Sequence, residues 1–273
     1  MGTSFKSDTD SGIERVACTP SERRHERTIL LQHGMWHGAW CWRDWQALLA
    51  DRGWESVAIS LPGHGGSSAT GPVKRMKMDD YLSVLRREIE RYAERPIVVG
   101  HSMGGALTQW YLAKVADDLP AAVLLASWTA KSTIADGTSL HLRRDPWGFL
   151  KSGITRSVQP LVRSPKWAAS LLLGPKASIS AEELFSRLSD ESYVVLGEHN
   201  PPKWKPKQNI ATPMLWVAAE KDAVISLAGA RQSAALYRAD FVSIPDAGHD
   251  LMFDRDSVQT LAKIDNWLTS TGL

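Results

Sequence analysis

One stretch of the chain combines a potential nucleophile with the glycines that such a nucleophile needs. Ser102 stands in Gly-His-Ser-Met-Gly-Gly at residues 100–105, between an apolar run at 97–99 and a run with helical spacing at 104–116. A serine in a sharp turn between a strand and a helix is exposed, and flanking glycines let the neighbouring backbone approach. The pattern predicts a nucleophile elbow, in which the Ser102 hydroxyl attacks a carbonyl carbon.

A serine hydroxyl is a weak nucleophile, so it needs a base, and the base needs an acid that orients it. His249 follows a late predicted strand in a glycine-bearing loop, and we expect it to be the base. Asp222 follows the strand predicted at 214–218, and we expect it to be the acid. Glu220 is its rival because it stands nearer to that strand. The order Ser102, Asp222, His249 fits a triad built on a strand–turn–helix elbow.

The oxygen that becomes negative in such an attack needs hydrogen-bond donors, and two backbone amides are candidates. Met103 directly follows the nucleophile, and its N–H is the first. The loop after the first predicted sheet strand reads His-Gly-Met-Trp-His-Gly-Ala-Trp at residues 33–40. Gly34 lets this loop approach closely, so we expect the second donor to be the N–H of Met35. The side chains of His33 and His37 are interpreted as residues that fix the loop by hydrogen bonds.

The residues beside this machinery should form the substrate pocket. Trp36 adjoins the predicted oxyanion loop, and Trp128 ends a predicted strand at the carboxyl edge of the sheet, where ligands bind in open α/β folds. Together with His37 and His101, they are the pocket residues that we predict. An aromatic, weakly charged cavity suits a hydrophobic or aromatic ester.

Short β-branched runs alternate with longer helical patterns, which predicts an α/β fold with a mostly parallel central sheet flanked by helices. We expect strands at 28–32, 55–60, 97–99, 122–126, 214–218 and 240–244, and helices at 40–52, 79–91, 104–116, 227–236 and 256–268. Scattered prolines and apolar clusters at 129–208 predict a mainly helical cap, inserted after the strand that follows the nucleophile helix. Residues 13–128 and 209–273 then form the core, and the polar residues 1–12 are expected to be disordered.

Composition narrows the function classes. A chain of 273 residues with 43% hydrophobic residues can bury one large core. The net charge of +2 offers no electrostatic argument for binding nucleic acid or an anionic membrane surface. Cys18 and Cys41 lack the spacing of metal ligands. There is no secretory signal pattern and no apolar run long enough for a membrane span, so we expect a cytoplasmic protein that acts on a small molecule. The oligomeric state stays open.

With these motifs, which span residues of about 28 to 268, the chain resembles the α/β-hydrolase superfamily. Its loop at 33–40 is similar to the His-Gly-x-x-His-Gly-Ala-Trp loop of plant methylesterases and hydroxynitrile lyases, and Gly-His-Asp-Leu-Met at 248–252 is similar to bacterial esterases. The lyases carry Thr where Gly34 stands and Lys where Asp250 stands, and both departures disfavour cyanohydrin cleavage. The resemblance implies a capped pocket, an acyl-enzyme mechanism, and neither cofactor nor metal.

The sequence therefore predicts a serine hydrolase that cleaves a hydrophobic or aromatic carboxylic ester through an acyl-enzyme on Ser102. Two alternatives stay open. A C–C bond hydrolase or lyase would use the same triad as a proton shuttle and need further polar groups over the substrate, such as His37, His141 or His199. A ligand-binding receptor on the same fold would hydrolyse its ligand slowly.

Overall fold

An eight-stranded sheet forms the centre of the computed structural model, which describes residues 3–273. The strands are Ser4–Asp10 (β1), Ile13–Thr19 (β2), Ile29–Gln32 (β3), Ser56–Ile59 (β4), Ile97–His101 (β5), Ala122–Leu125 (β6), Met214–Ala219 (β7) and Asp240–Ile244 (β8). Their order across the sheet is β1-β2-β4-β3-β5-β6-β7-β8. Only the two pairings made by β2 are antiparallel in this sheet of the described residues, and the other five are parallel. The mostly parallel sheet predicted from the sequence is confirmed.

Helices flank this sheet. They are Arg43–Asp51 (α1), Met78–Glu90 (α2), Met103–Lys114 (α3), Thr133–Arg144 (α4), Pro146–Thr155 (α5), Pro165–Leu172 (α6), Ala181–Arg187 (α7), Tyr193–Glu198 (α8), Leu227–Tyr237 (α9) and Ser257–Ser270 (α10). Short 3-10 turns occupy Ala39–Trp42, Val73–Arg75, Gln159–Val162 and Leu251–Phe253. In the described part of the chain, no helix has the length and apolar character that crossing a bilayer requires.

The central strands are buried along their whole length, which explains why they read as continuous apolar runs. Every residue of β3, β5, β6 and β7 is buried. A parallel sheet covered by helices on both faces hides both sets of alternating side chains. Helix α3 is also buried from Met103 to Leu112, so the turn before it lies deep in the fold rather than at its surface.

The prediction that residues 1–12 are disordered is wrong for the strand β1; Met1 and Gly2 lie outside the described residues. Strands β1 and β2 pair in register from Ser4 opposite Thr19 to Asp10 opposite Ile13. Ser11 and Gly12 join them with φ of 53° and 78°. A two-residue turn with both φ positive matches the twist of an antiparallel hairpin, so this Ser-Gly pair favours the hairpin.

Between β6 and β7 the chain forms the five helices α4 to α8, which we call the helical insertion. Two of the prolines that interrupt the sequence pattern begin helices, because Pro146 and Pro165 occupy the first position of α5 and α6. Proline suits that position, where its missing N–H has no partner to lose and its φ is already helical. The helical character predicted for 129–208 is thus present, while its exact bounds and its role as a cap stay predictions.

Candidate active site

Ser102 occupies a strained turn between β5 and α3. Its φ of 51° and ψ of −116° are unfavourable for a residue with a side chain. The surrounding glycines hold the turn in place: a Cβ on Gly100 would collide with the carbonyl of Gly104, and a Cβ on Gly104 would lie 2.6 Å from the carbonyl oxygen of His33. The two glycines therefore let α3 pack directly against β5 and the end of β3.

The structure brings the three predicted catalytic side chains together. The Nε2 atom of His249 lies 2.9 Å from the Oγ of Ser102, and its Nδ1 lies 2.8 Å from an Oδ2 oxygen of Asp222. The other oxygen of Asp222 accepts hydrogen bonds from the backbone N–H groups of Val224 and Ile225 at 2.7 and 2.9 Å. Because Nδ1 faces a carboxylate, it carries the proton in the neutral ring, and Nε2 is free to accept the proton of Ser102.

The electrostatics of His249 fit this arrangement. Burial opposes the charged imidazolium, but the nearby carboxylates of Asp222 and Asp250 outweigh it, so the pKa of His249 is raised above its usual 6.5. The rival acid, Glu220, instead accepts a hydrogen bond from the hydroxyl of Ser243 at 2.8 Å and is exposed. Of the two acids weighed from the sequence, Asp222 is the one that contacts the histidine.

The loop after β3 approaches the nucleophile closely. A Cβ on Gly34 would lie 2.8 Å from the Cβ of Ser102, so only glycine fits there without a shift. Met35 follows it and lines the same cavity as Ser102. Met103 is the first residue of α3, where a backbone N–H has no acceptor within the helix. The two amides proposed from the sequence as oxyanion donors thus belong to two backbone segments that adjoin Ser102, the start of α3 and the loop after β3.

A buried hydrogen bond between His37 and Asp250 joins this loop to the loop of His249. The Nε2 atom of His37 lies 3.0 Å from Oδ2 of Asp250, and its Nδ1 lies 2.6 Å from the carbonyl oxygen of Met35. Burial alone would raise the pKa of Asp250, but the contact with His37 outweighs burial and lowers it below 3.8, so its carboxyl is ionised. Both ring nitrogens of His37 lie against acceptor oxygens. His37 therefore connects the carbonyl of Met35 to the residue after His249.

His101 lies beside this pair and is neutral. Burial, together with the neighbouring His249, lowers the pKa of His101 to about 3. Its Nε2–H donates to the carbonyl oxygen of His249 at 3.0 Å and lies 3.6 Å from Asp250. The ligand-type atoms of His101, His249 and Asp250 lie within 4.8 Å of one another, the one such group of three among the described residues. Nε2 of His101 and both ring nitrogens of His249 are already engaged in hydrogen bonds, with the carbonyl of His249, with Asp222 and with Ser102.

The helical insertion is tied at Trp36 to the loop of residues 33–40. Glu191 is buried and accepts hydrogen bonds from His64 at 3.1 Å, from the hydroxyl of Tyr81 at 2.9 Å and from the backbone N–H of Trp36 at 3.4 Å. The carbonyl oxygen of Trp36 accepts from the N–H of Ser189 at 2.8 Å. Trp36 has a positive φ of 63°, and these contacts fix both sides of that residue. The insertion therefore helps to set the backbone next to Met35.

A cavity of about 500 Å³ opens above Ser102. Its walls include the predicted pocket residues Trp36, His37, His101 and Trp128. The helical insertion supplies most of the apolar remainder, namely Ile134, Leu142, Phe149, Leu150, Ile154, Leu161, Leu171, Leu172, Tyr193 and Leu196. Apolar walls with a few converging polar groups are typical of small-molecule sites.

Two of the three histidines named for a proton-shuttle lyase line this cavity. They are His37 and His141, and burial lowers the pKa of His141. His199 does not line it; it accepts a hydrogen bond from the indole N–H of Trp110 at 2.9 Å and donates to the carbonyl oxygen of Thr129. Sequence analysis missed the link that Asp250 makes with His37, because the two residues are 213 positions apart.

The chain belongs to the Alpha/beta hydrolase family, whose family model matches residues 29–263. Residues of the match include every member of the Ser102 site described above.

Among curated proteins, the chain is similar to a probable esterase of rice, PIR7A of Oryza sativa subsp. indica, with 31% identity over 163 residues, 58% of this chain and 60% of that protein. It is also similar to Methylesterase 1 of Arabidopsis thaliana, with 25% identity over 134 residues, 46% of this chain and 51% of the relative. The matches thus span about half to three fifths of these relatives' length.

Solved structures with the same fold cover almost the whole chain. A monoacylglycerol lipase of Paleococcus ferrophilus superposes with a TM-score of 0.70 at 20% identity, over 95% of this chain and 99% of the lipase. VinJ superposes with a TM-score of 0.73 at 14% identity, over 99% of this chain and 100% of that one. At such low identity the likeness concerns the fold.

Proposed function

We propose that this protein is a serine hydrolase that cleaves a hydrophobic or aromatic carboxylic ester. The observation that carries the proposal is the continuous hydrogen-bonded line from Ser102 through His249 to Asp222, with distances of 2.9 and 2.8 Å, at the floor of an apolar cavity. The names of the relatives, a probable esterase and a methylesterase, support the same reaction class.

In the acylation step, the Oγ of Ser102 attacks the ester carbonyl while Nε2 of His249 takes its proton. The carbonyl oxygen becomes negative and is stabilised by the backbone N–H groups of Met35 and Met103. Asp222 stabilises the imidazolium that forms and keeps its ring oriented. When the tetrahedral intermediate collapses, His249 gives its proton to the leaving alkoxide, so an alcohol departs and the acyl group stays on Ser102.

In the second step, water replaces the alcohol. His249 removes a proton from that water, the hydroxide adds to the acyl carbon, and the bond to Ser102 breaks with return of the proton to its Oγ. A carboxylic acid leaves and the enzyme is restored. Through the bond of His37 to the carbonyl of Met35, the His37–Asp250 pair holds the oxyanion loop and the base loop in fixed relation during both steps.

The cavity walls support an apolar acyl or alcohol group. Aromatic side chains of Trp36 and Trp128 and the aliphatic residues of the helical insertion favour such a group by burying it. In this proposal the insertion is the cap of the site. His141, whose pKa burial lowers, is a polar group within reach of a bound ester.

Release of p-nitrophenol from p-nitrophenyl esters of increasing acyl length tests the proposal. The wild-type protein should turn over, and Ser102→Ala should lower kcat by several orders of magnitude, as loss of a triad serine does. Asp222→Ala should lower kcat strongly, while the matched change Glu220→Ala should leave it near the wild-type value because Glu220 points toward Ser243.

A fluorophosphonate probe separates the remaining hypotheses. Labelling of Ser102 without hydrolysis of any ester in the series would contradict the esterase proposal, and it would favour the lyase, C–C hydrolase or receptor hypothesis. Absence of labelling, in a protein that unfolds cooperatively, would contradict the activated nucleophile itself.

A further inference from the structure

An apolar surface lies on the outside of the helical insertion. Among the described residues, seven large apolar side chains are well exposed, and five of them belong to α4 and α5. These five are Ile134, Leu142, Trp147, Leu150 and Ile154. Trp147 and Ile154 are 69% and 75% exposed. The spacing of 147, 150 and 154 places three of them on one face of α5, so they form one surface rather than scattered exposures.

Positive charges accompany this surface. Lys151 follows Trp147 by four residues and precedes Ile154 by three, so it lies on the same face of α5. Arg156 ends that helix in a left-handed conformation, and Arg143 lies near the end of α4; all three are exposed. No ion pair in the described part of the chain involves any of the three.

The acidic residues of the same two helices point elsewhere. Asp136 accepts hydrogen bonds from the backbone N–H and the hydroxyl of Ser226. Asp145, the residue before α5, is paired with Arg163. The cations of α4 and α5 are therefore not neutralised by carboxylates of their own segment, although the whole chain has a net charge of only +2.

We propose that the outer face of α4 and α5 binds an anionic lipid surface. Apolar side chains interspersed with Lys and Arg enter the boundary between headgroups and acyl chains, while the cations contact the negative headgroups. A second copy of this chain fits the surface less well, because a two-fold dimer brings the same patch of each copy together and would oppose Lys151 and Arg156 with their own equivalents.

The position of the surface next to the cavity gives it a role in substrate entry, an inference that rests on the proposed function. Ile134, Leu142, Leu150 and Ile154 face outward and also line the cavity above Ser102. The cavity mouth thus opens on the same side as the lipid-binding face. An apolar ester dissolved in the lipid could enter the cavity without crossing water, which would raise turnover on membrane-dissolved esters above turnover on the same esters in solution.

Co-sedimentation of the full chain with phosphatidylcholine vesicles, with and without phosphatidylglycerol, tests the proposal. We expect binding to the vesicles that contain phosphatidylglycerol, weakened at least about tenfold by the double change Lys151→Glu and Arg156→Glu. Trp147→Ser should weaken binding as well. Val258→Ser removes another exposed apolar residue, 47% exposed, from α10 and should leave binding unchanged. None of these changes touches the cavity or triad, so hydrolysis of a soluble p-nitrophenyl ester should persist in all of them.

Three results would overturn the proposal. They are absence of binding by the wild-type protein, equal binding to vesicles with and without phosphatidylglycerol, and concentration-dependent dimerisation in sedimentation velocity that Trp147→Ser abolishes. The last would assign the surface to a second copy. Hydrolysis of the soluble ester is measured without vesicles. If the wild-type protein does not hydrolyse it, the proposed function is refuted, while the vesicle-binding result can still be interpreted.

Discussion

The buried pair of His37 and Asp250 provides the sharpest test of how the site is held. The two side chains are 1% and 0% exposed, and the atoms that join them are 3.0 Å apart. Truncating one partner of such a pair leaves the other polar group buried without its hydrogen bond, which costs about 1–3 kcal/mol of unfolding free energy. Asp250→Ala should therefore destabilise the fold by about that amount in a urea titration.

Activity should respond in a different way from stability. Without Asp250, the His37 ring loses the contact that fixes its Nε2 side, so its bond from Nδ1 to the carbonyl of Met35 is less well oriented and the loop that carries one proposed oxyanion donor is less firmly held. Loss of one such donor lowers kcat by about 100- to 1000-fold, which is the upper limit for the effect of this variant. KM should change much less, because the apolar cavity walls remain in place. Turnover must be measured well below the melting temperature of the variant.

The conservative variant decides between charge and geometry. An asparagine at position 250 has both an NH₂ donor and an oxygen acceptor for Nε2 of His37, so the ring can keep its bond from Nδ1 to the carbonyl of Met35. Asp250→Asn should therefore regain most of kcat, and the same change at the exposed Asp246 in this loop, Asp246→Asn, should behave as wild type because asparagine tolerates its φ of 58°. If Asp250→Ala loses stability but retains kcat, the pair is structural only. If Asp250→Asn is as slow as Asp250→Ala, a hydrogen-bonded bridge is not sufficient.

Two pH dependences follow from the other buried histidines. His249 must be neutral to accept the Ser102 proton, and its pKa is raised above 6.5. We therefore expect kcat/KM to fall at acid pH with a midpoint above 6.5. A midpoint below 6.5 would mean that the effect of burial on this pKa outweighs that of Asp222. Burial opposes the charge on His64, but Glu191 outweighs burial and raises the pKa of His64 above 6.5. The contact between His64 and Glu191 therefore stabilises the fold fully below pH 6.5, and this stabilisation is lost as pH rises through the folded-state pKa of His64. Urea titrations across that range should show this loss in the wild type and not in Glu191→Gln; equal slopes would refute the assignment.

The central strands and the Ser102 site were predictable because their signals are local. The β8 strand was predicted with its observed bounds, 240–244, and each residue of the proposed triad follows the carboxyl end of a strand in the parallel sheet. Parallel strands bring such ends to one edge, so three separate turns converge. The β1 strand was missed because it lies at the sheet edge with nearly every residue exposed, and such a strand has no apolar alternation to read.

The contacts that hold the site together depend on partners that only the fold brings near. Asp250 forms a hydrogen bond with His37, which is 213 residues away in the sequence, and Glu191 forms one with His64, which is 127 residues away. In both cases an acid and a histidine are removed from water together, and each pair fixes one side of the segment Met35–Trp36. A buried carboxylate needs a partner, but the sequence does not say which of eight histidines supplies it. Local patterns thus predict the reacting groups, whereas the pairs that position their backbone donors follow from tertiary packing.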